Sequence, residues 1–330
     1  MTRALRFLPL AVALACSNGG TSDNGTDTDV EDPNAGLDID AVGDFSCFTP
    51  AATFEATTWA AAQVAIANPG NVTVDGTVED FEKAEPRSSR TVSLWYGDAV
   101  SGEPDVSAEV GSAAGDVSIV SPACQPITYR TQELPGLGEA KPTFKAHAVF
   151  GKGEGGHIAA TFQSVSNTTY TLIPTIVSID IDPTKGSIAG SAYDCSRDPD
   201  MLPDNDTGKI KGARMRIFDA DGNPPEGAAI KYFVDDFPDR NQPYTSADGL
   251  WGAFNVPPGE WTIELYAKVG GEVVVLGRTK ASVYPDTINI ANVWSGHENG
   301  VKLPATCVDG GGAGDTDVPA DTDVPPVTAK

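Results

Sequence analysis

The sequence predicts a mainly β protein, built as two tandem antiparallel β-sandwich domains between disordered acidic tails. Apolar residues alternate with polar ones over short runs bounded by Gly, Pro, Asn and Asp, while 3.6-residue periodicity is scarce. The chain also resembles itself, since two stretches carry the same order of strand and turn signals. Finally, 330 residues that are 40% hydrophobic and 8% aromatic suffice for two domain cores, and 35 glycines with 25 prolines mark a chain rich in turns.

From the N-terminus, Met1 to Arg6 carries Arg3 and Arg6 and no acid, and Phe7 to Ala15 is apolar. That run is too short to cross ~30 Å of hydrocarbon as a helix. Residues 1–15 therefore read as a secretion signal. Leu14, Ala15 and Cys16, followed by a polar stretch, resemble the lipobox of bacterial lipoproteins, although Ala13 stands where Leu is commonest. The resemblance implies cleavage before Cys16 and acylation of its thiol, and Ser17 resembles the residue found in lipoproteins sorted to the outer membrane. The alternative is an ordinary signal peptide with Cys16 beside the cut.

Counting thiols bears on the same point. Cys16, Cys47, Cys124, Cys195 and Cys307 make an odd set for an exported chain, and lipid on Cys16 leaves an even one. The repeat suggests Cys47 with Cys124 and Cys195 with Cys307, each pair clipping one domain, and spacing leaves the other pairings open. None of these cysteines lies in a CxxC or beside a histidine, so metal and redox roles find no support.

Residues 16–36 form an acidic tether with too little apolar surface to fold. Domain one is expected over 37–182 and domain two over 183–307. Residues 308–330 form a second acidic tail that repeats DTDVP at Asp315 and Asp321. Thr58 to Ala67 has the composition of a short helix. The repeat aligns Val74 to Asp80 with Ile188 to Asp194, Val92 to Tyr96 with Met215 to Phe218, and the ten residues from Val120 with those from Val256. Copy two carries extra length, chiefly Ser196 to Lys211.

Copy two resembles the carboxypeptidase regulatory-like family, a small sandwich of the transthyretin-like type, from about Lys185 to Val293. The resemblance rests on GSIAGSAYD from Gly186, then Gly212-Ala213, Asp219 to Gly222, Thr245 to Trp251 and Val256 to Gly259, in that order. Copy one departs from it at Ser121 and Ala123. What the resemblance implies is an accessory sandwich without the peptidase's zinc ligands.

Local chemistry accounts for the most conspicuous of these pieces. Pro257 and Pro258 fix φ and offer no N–H to a neighbouring strand, and Gly259 permits the positive φ of a tight turn. The chain is then expected to reverse into a strand with Trp261, Ile263 and Leu265 on one face and Thr262, Glu264 and Tyr266 on the other. Asp248-Gly249 reads as a hairpin turn joining Tyr244-Thr245 to Leu250-Trp251.

The formal charge of −24, with no basic stripe among 22 Lys and Arg, excludes nucleic acid as a partner. His147, His157 and His297 belong to no HExxH or i, i+4 pair, and there is no G-x-S-x-G elbow or phosphate-binding glycine loop. No cofactor is expected. Tyr232, Phe233, Tyr244, Trp251 and Trp261 fall at strand spacing and read as core, whereas Tyr266 or Trp95 face outward and are open to a ligand. Asn-x-Thr triplets at Asn24, Asn71, Asn167 and Asn205 would bear glycans only in a eukaryotic host, which the lipobox argues against. The expected role is a non-catalytic envelope lipoprotein for adhesion, scaffolding or ligand binding, anchored to the membrane by its lipid, with a protein or glycan as ligand. The alternatives are a carbohydrate- or Ca²⁺-dependent binding protein and an accessory subunit of an envelope enzyme.

The calcium alternative rests on Asp198, Asp200, Asp204 and Asp206, with Asp235, Asp236 and Asp239 as further carboxylates. The EF-hand order is broken there, and a solvated acidic loop is the competing reading. A calcium site raises the melting temperature in millimolar Ca²⁺, whereas a solvated loop melts identically with and without chelator.

Overall fold

The computed structural model describes residues 37–47, 70–97, 100–197, 207–297 and 303–307. Cys16, the Thr58 to Ala67 stretch, Asp198, Asp200, Asp204 and Asp206 lie outside them. Copy one comprises β1 (Asn71–Asp80), β2 (Arg90–Tyr96), β3 (Val106–Glu109), β4 (Asp116–Pro122), β5 (Pro126–Glu133), β6 (Ala140–Lys141), β7 (Thr143–Val149), β8 (His157–Ser166) and helix α1 (Asn167–Ile176). Copy two comprises β9 (Gly186–Tyr193), β10 (Ala213–Phe218), β11 (Ala229–Val234), β12 (Phe237–Asp239), β13 (Leu250–Val256), β14 (Gly259–Val269), β15 (Glu272–Val283), β16 (Ile288–Ile290) and β17 (Val293–Trp294). The protein is mainly β, as its alternating pattern requires.

The duplication seen in the sequence reappears in strand pairing. In copy one β1 pairs β4 antiparallel and β8 parallel, and β5 lies between β2 and β7. In copy two β9 pairs β13 antiparallel and β16 parallel, and β14 lies between β10 and β15. The repeated motif has the same physical use in both. Asp80 and Asp194, at the ends of β1 and β9, are buried and accept backbone N–H groups from the turns that follow, Glu82 and Lys83 in one copy and Ser196 in the other. The repeated glycine marks a close approach: a Cβ on Gly76 would meet the Phe162 ring at 2.4 Å, and one on Gly190 the Ala291 carbonyl oxygen at 2.0 Å.

The two copies share one sheet. Ten strands run in the order β12-β11-β13-β9-β16-β7-β5-β2-β3, with β17 paired to β9, so β16 joins copy two's β9 to copy one's β7. It pairs both in parallel. The four-stranded sheet β4-β1-β8-β6 completes the first sandwich and the three-stranded sheet β10-β14-β15 the second. One core gathers around Trp251, Ile263, Leu265 and Leu276, the other around Leu94, Ile127 and Phe162.

Residues 37–47 and 303–307 are exchanged between the copies, so the boundaries differ from those the sequence suggests. Val42 bridges to Lys211, Ala41 donates its N–H to the Lys268 carbonyl, and Cys47 is bonded to Cys195, which places residues 37–47 on copy two. Residues 303–307 return to copy one, where Cys307 is bonded to Cys124 inside the first core. The cysteines expected to pair do so, but as Cys47–Cys195 and Cys124–Cys307. The pairing expected from the repeat is wrong because the termini cross between copies.

Three local expectations also change. The Pro257-Pro258-Gly259 turn does not make a hairpin: β13 belongs to the shared sheet and β14 to the three-stranded one, so the turn carries the chain between layers. Trp261 fastens it by donating Nε1–H to the Pro257 carbonyl at 2.8 Å. At Asp248-Gly249 the turn forms, with φ +63° at Gly249, but Tyr244-Thr245 is not a strand. The Thr245 N–H bonds Ala213 instead. Helix α1, absent from the sequence reading, is capped by Ser166, whose hydroxyl accepts from the Thr169 N–H, and it contains Pro174. Its Thr- and Pro-rich composition hid it.

Gly190→Ala is expected to lower stability by about 1–3 kcal/mol in chemical denaturation, because backbone fills the space a methyl would need. The same substitution at Gly111, where a Cβ would meet nothing within 4 Å, is the control.

Candidate functional site

Of the residues a sequence reading would offer for chemistry, most are structural here. Trp251, Trp261, Tyr232 and Phe233 are buried, and Tyr244 is half-buried. Tyr266 and Trp95, expected to face outward, are only 6% and 4% exposed, which withdraws them as ligand platforms. Trp95 is covered by the Arg130 guanidinium, 5.1 Å above its ring, and its Nε1–H donates to the Gly102 carbonyl. Asp235 and Asp236 both take positive φ in the tight turn from β11 to β12, and Asp239 accepts from the Asn241 N–H. Among the described residues no group of three or more His, Cys, Asp or Glu is arranged to hold a metal ion.

The histidines have separate fates. His147 is buried on β7 and donates from Nε2 to the Lys280 carbonyl at 2.9 Å, tying the first copy to β15 of the second. The His297 carbonyl accepts from the Arg278 N–H. His157 is exposed, with Nδ1 2.7 Å from Asp75 Oδ2, and Ser118 donates its hydroxyl to Asp75 Oδ1 at 2.8 Å. Sequence distance concealed this trio. Its order is wrong for nucleophilic catalysis, in which the histidine must stand between serine and acid. Here the acid is central, and the His157 and Ser118 hydrogen bonds hold the Asp75 carboxyl below its usual range.

The arrangement that stands out is on the outer face of the three-stranded sheet. Arg216 on β10, Glu264 on β14 and Arg278 on β15 are in register across the three strands. Glu264 is 1% exposed, and both its carboxylate oxygens are engaged: Arg216 bonds Oε2, and Arg278 Nε donates to Oε1 at 2.6 Å. The next row carries Phe218, Thr262 and Lys280. The Arg216 guanidinium lies 4.8 Å from the Phe218 ring. Together with Thr279 these residues line an open depression of about 270 Å³. Glu260, opposite Ser282, stands one row further out and is not part of the lining.

Copy one uses the equivalent face differently. Ser93, Arg130 and Phe144 form a row of that face across β2, β5 and β7. Trp95, Phe144 and Tyr284 stack there, with ring centroids 6.4 and 4.6 Å apart, under the Arg130 guanidinium. The opening left among Phe144, Tyr284 and their neighbours is about 10 Å³, the space of a single water. One copy's face is closed by the junction and the other's is open and cationic. Alternation alone placed Glu264 outward but gave no sign of its two guanidinium partners, which come from strands far apart in sequence.

No family model and no curated protein matches the chain. Among solved structures, the Bacillus anthracis TIE protein is 14% identical over 71% of this chain and 34% of its own, with a TM-score of 0.21. This chain thus spans about a third of that protein. The shaft pilin SpaA of Lactobacillus rhamnosus GG is 9% identical over 68% of this chain and 97% of its own, at 0.20. BcpA, the major pilin subunit of Bacillus cereus, is 10% identical over 68% and 100%, at 0.21. Likeness this shallow identifies no shared function, and the fold rests on the chain's own strand pairing.

Lys145 on β7 supplies a further measurable quantity. Burial lowers its ammonium pKa from 10.5, and the Arg197 guanidinium adds to the effect. Between the lowered value and 10.5 the unfolded chain binds more protons than the folded one, so stability rises with pH through that window. Lys145→Met is expected to flatten this rise and to stabilise the protein at pH 7, as read from denaturation midpoints at pH 7 to 10.

Proposed function

We propose that the protein is a non-catalytic module of the cell envelope, exported and held by a lipid on Cys16 at the outer membrane, that presents its two joined sandwiches for adhesion or scaffolding. One observation carries this reading: the interleaved disulfides. Cys47–Cys195 and Cys124–Cys307 overlap in sequence, so residues 37–47 are covalently held on copy two and residues 303–307 on copy one. Such bonds persist in an oxidising compartment, which agrees with the apolar segment before Cys16. Residues 37–47 and 303–307 are clipped onto the copy they do not belong to in sequence. A load applied to the segment preceding Cys47 therefore enters copy two directly and passes through the shared sheet to copy one. A tethered spacer or adhesive module needs that mechanical continuity.

The carboxypeptidase regulatory-like motifs of copy two support the same reading, since they imply an accessory sandwich rather than a peptidase. The described residues bring no nucleophile, base and orienting acid together in catalytic order.

Mass analysis of the native mature chain tests the anchor and the bonds together. The expected result is a chain that starts at Cys16 and carries acyl mass, with unreduced peptides linking Cys47 to Cys195 and Cys124 to Cys307. A chain starting upstream of Cys16, or four free thiols, overturns the proposal. Reduction is expected to lower the melting temperature sharply. Loop closures of 148 and 183 residues correspond to on the order of 5 kcal/mol each in the chain-entropy model.

A further inference from the structure

We infer that the open face of copy two is a binding site for a doubly charged oxyanion, a sulfate or phosphate group, seated among Arg216, Arg278 and Lys280. The inference is independent of the lipid anchor and supplies what the adhesive reading lacks, a ligand chemistry.

Three observations carry it. First, the structural requirement of Glu264 is already met: its two oxygens are taken by the inner edges of two guanidiniums. Lys280 is not needed for that purpose and stands exposed beside them. Three cations against one carboxylate leave two positive charges over a single depression. One dianion balances them at one point, whereas a lone carboxylate leaves half the excess. Second, the guanidiniums are presented rather than spent. Arg216 and Arg278 keep 53% and 33% of their side-chain surface exposed, so outward N–H groups remain for a ligand. The buried Glu264 fixes their orientation, as a planar fork reading an oxyanion requires. The Thr262 hydroxyl adds a donor in the same row as Lys280. Third, the setting makes the cluster improbable as ordinary surface. The chain carries 46 acidic against 22 basic residues, so a lining in which three cations face a single acid, Glu264, runs against the average of the molecule. On the equivalent face of copy one the single cation of the row, Arg130, is spent over the Trp95 and Phe144 rings, and no comparable opening is left among the described residues.

The row also explains why the ligand would be held without closure of a loop. Its side chains stand on three hydrogen-bonded strands, and β15 is pinned from behind by the His147 bond to the Lys280 carbonyl. The site is rigid and shallow, suited to a group carried on a larger molecule as well as to a free ion.

The test uses the full-length protein and three probes: sodium sulfate, sodium phosphate at pH 8, and dextran sulfate, each against sodium chloride of equal ionic strength or unmodified dextran. Backbone and arginine side-chain NMR shifts report the site. Saturating shifts at residues 216, 262, 278 and 280 that chloride does not reproduce are expected. Lys280→Glu leaves the Glu264 pairs intact and is expected to weaken binding roughly five- to tenfold. Arg216→Lys, which keeps the charge and loses the fork, is expected to fall between this variant and the native chain. Saturation by the inorganic ions means that the free oxyanion suffices. Binding of dextran sulfate alone, lost in Lys280→Glu, means that the group is read on a polymer. Shifts equal to those in chloride, or dextran sulfate binding unchanged by Lys280→Glu in a variant that melts normally, overturns the inference.

Discussion

The architecture depends on three residues. Ile288, Asn289 and Ile290 of β16 are all buried and are paired on both sides, to β9 of their own copy and to β7 of the other. In copy one the matching strand β8 also pairs in parallel with β1, but its far edge takes only the two-residue β6. The duplicated unit therefore has an open strand edge beside its parallel strand. Copy two fills that edge with copy one's β7, and an unpaired edge in a mainly β protein invites pairing with other chains. Filling it from within the molecule removes the liability and makes two sandwiches into one body. The Asn289 side-chain nitrogen donates to the Ser187 carbonyl and the Thr287 hydroxyl within the buried junction, while its side-chain oxygen has no hydrogen-bond partner among the described residues.

The disulfides follow from this junction. Once the copies share a sheet, each terminus can cover the partner copy's core, and it does so: Phe45 and Ala41 pack on the second core, and Leu303 on the first. A covalent bond at each crossing holds a short segment that buries too little surface to remain docked by itself. Cys47 binds a segment with few buried residues. Cys307, 1% exposed, binds one that ends within the core.

Local signals were legible in the sequence where a residue type has one physical use. The glycines at 76 and 190 and the aspartates at 80 and 194 announced a repeat, and strand pairing bears it out with the same neighbours in both copies. Alternation placed Trp261, Ile263 and Leu265 in the core. What alternation could not supply is which outer faces stay open. Tyr266 and Trp95 occupy outward positions, yet both are buried, Trp95 under Arg130 and beside Phe144. The exchange of termini was equally invisible, since a cysteine's spacing carries no information about which copy its segment will cross to. The Asp75, His157 and Ser118 trio, and the row of Arg216, Glu264 and Arg278, depend on register between strands, which is fixed only when the sheets assemble.

Duplication also explains why a binding face exists on one copy alone. A repeated unit begins with two equivalent outer faces, and joining the copies must use up one of them. The row Ser93, Arg130 and Phe144 went to the junction, where aromatic rings under a guanidinium bury apolar surface and leave almost no void. Those rings suit packing because their attraction needs close contact and little water. The row Arg216, Glu264 and Arg278 is the one no partner covers, and its composition follows the opposite rule. Charges whose only internal counterion is shared between them retain strength toward solvent, where a packed interface would have required full neutralisation. Divergence between equivalent faces therefore separates the surface that holds this molecule together from the surface it offers outward.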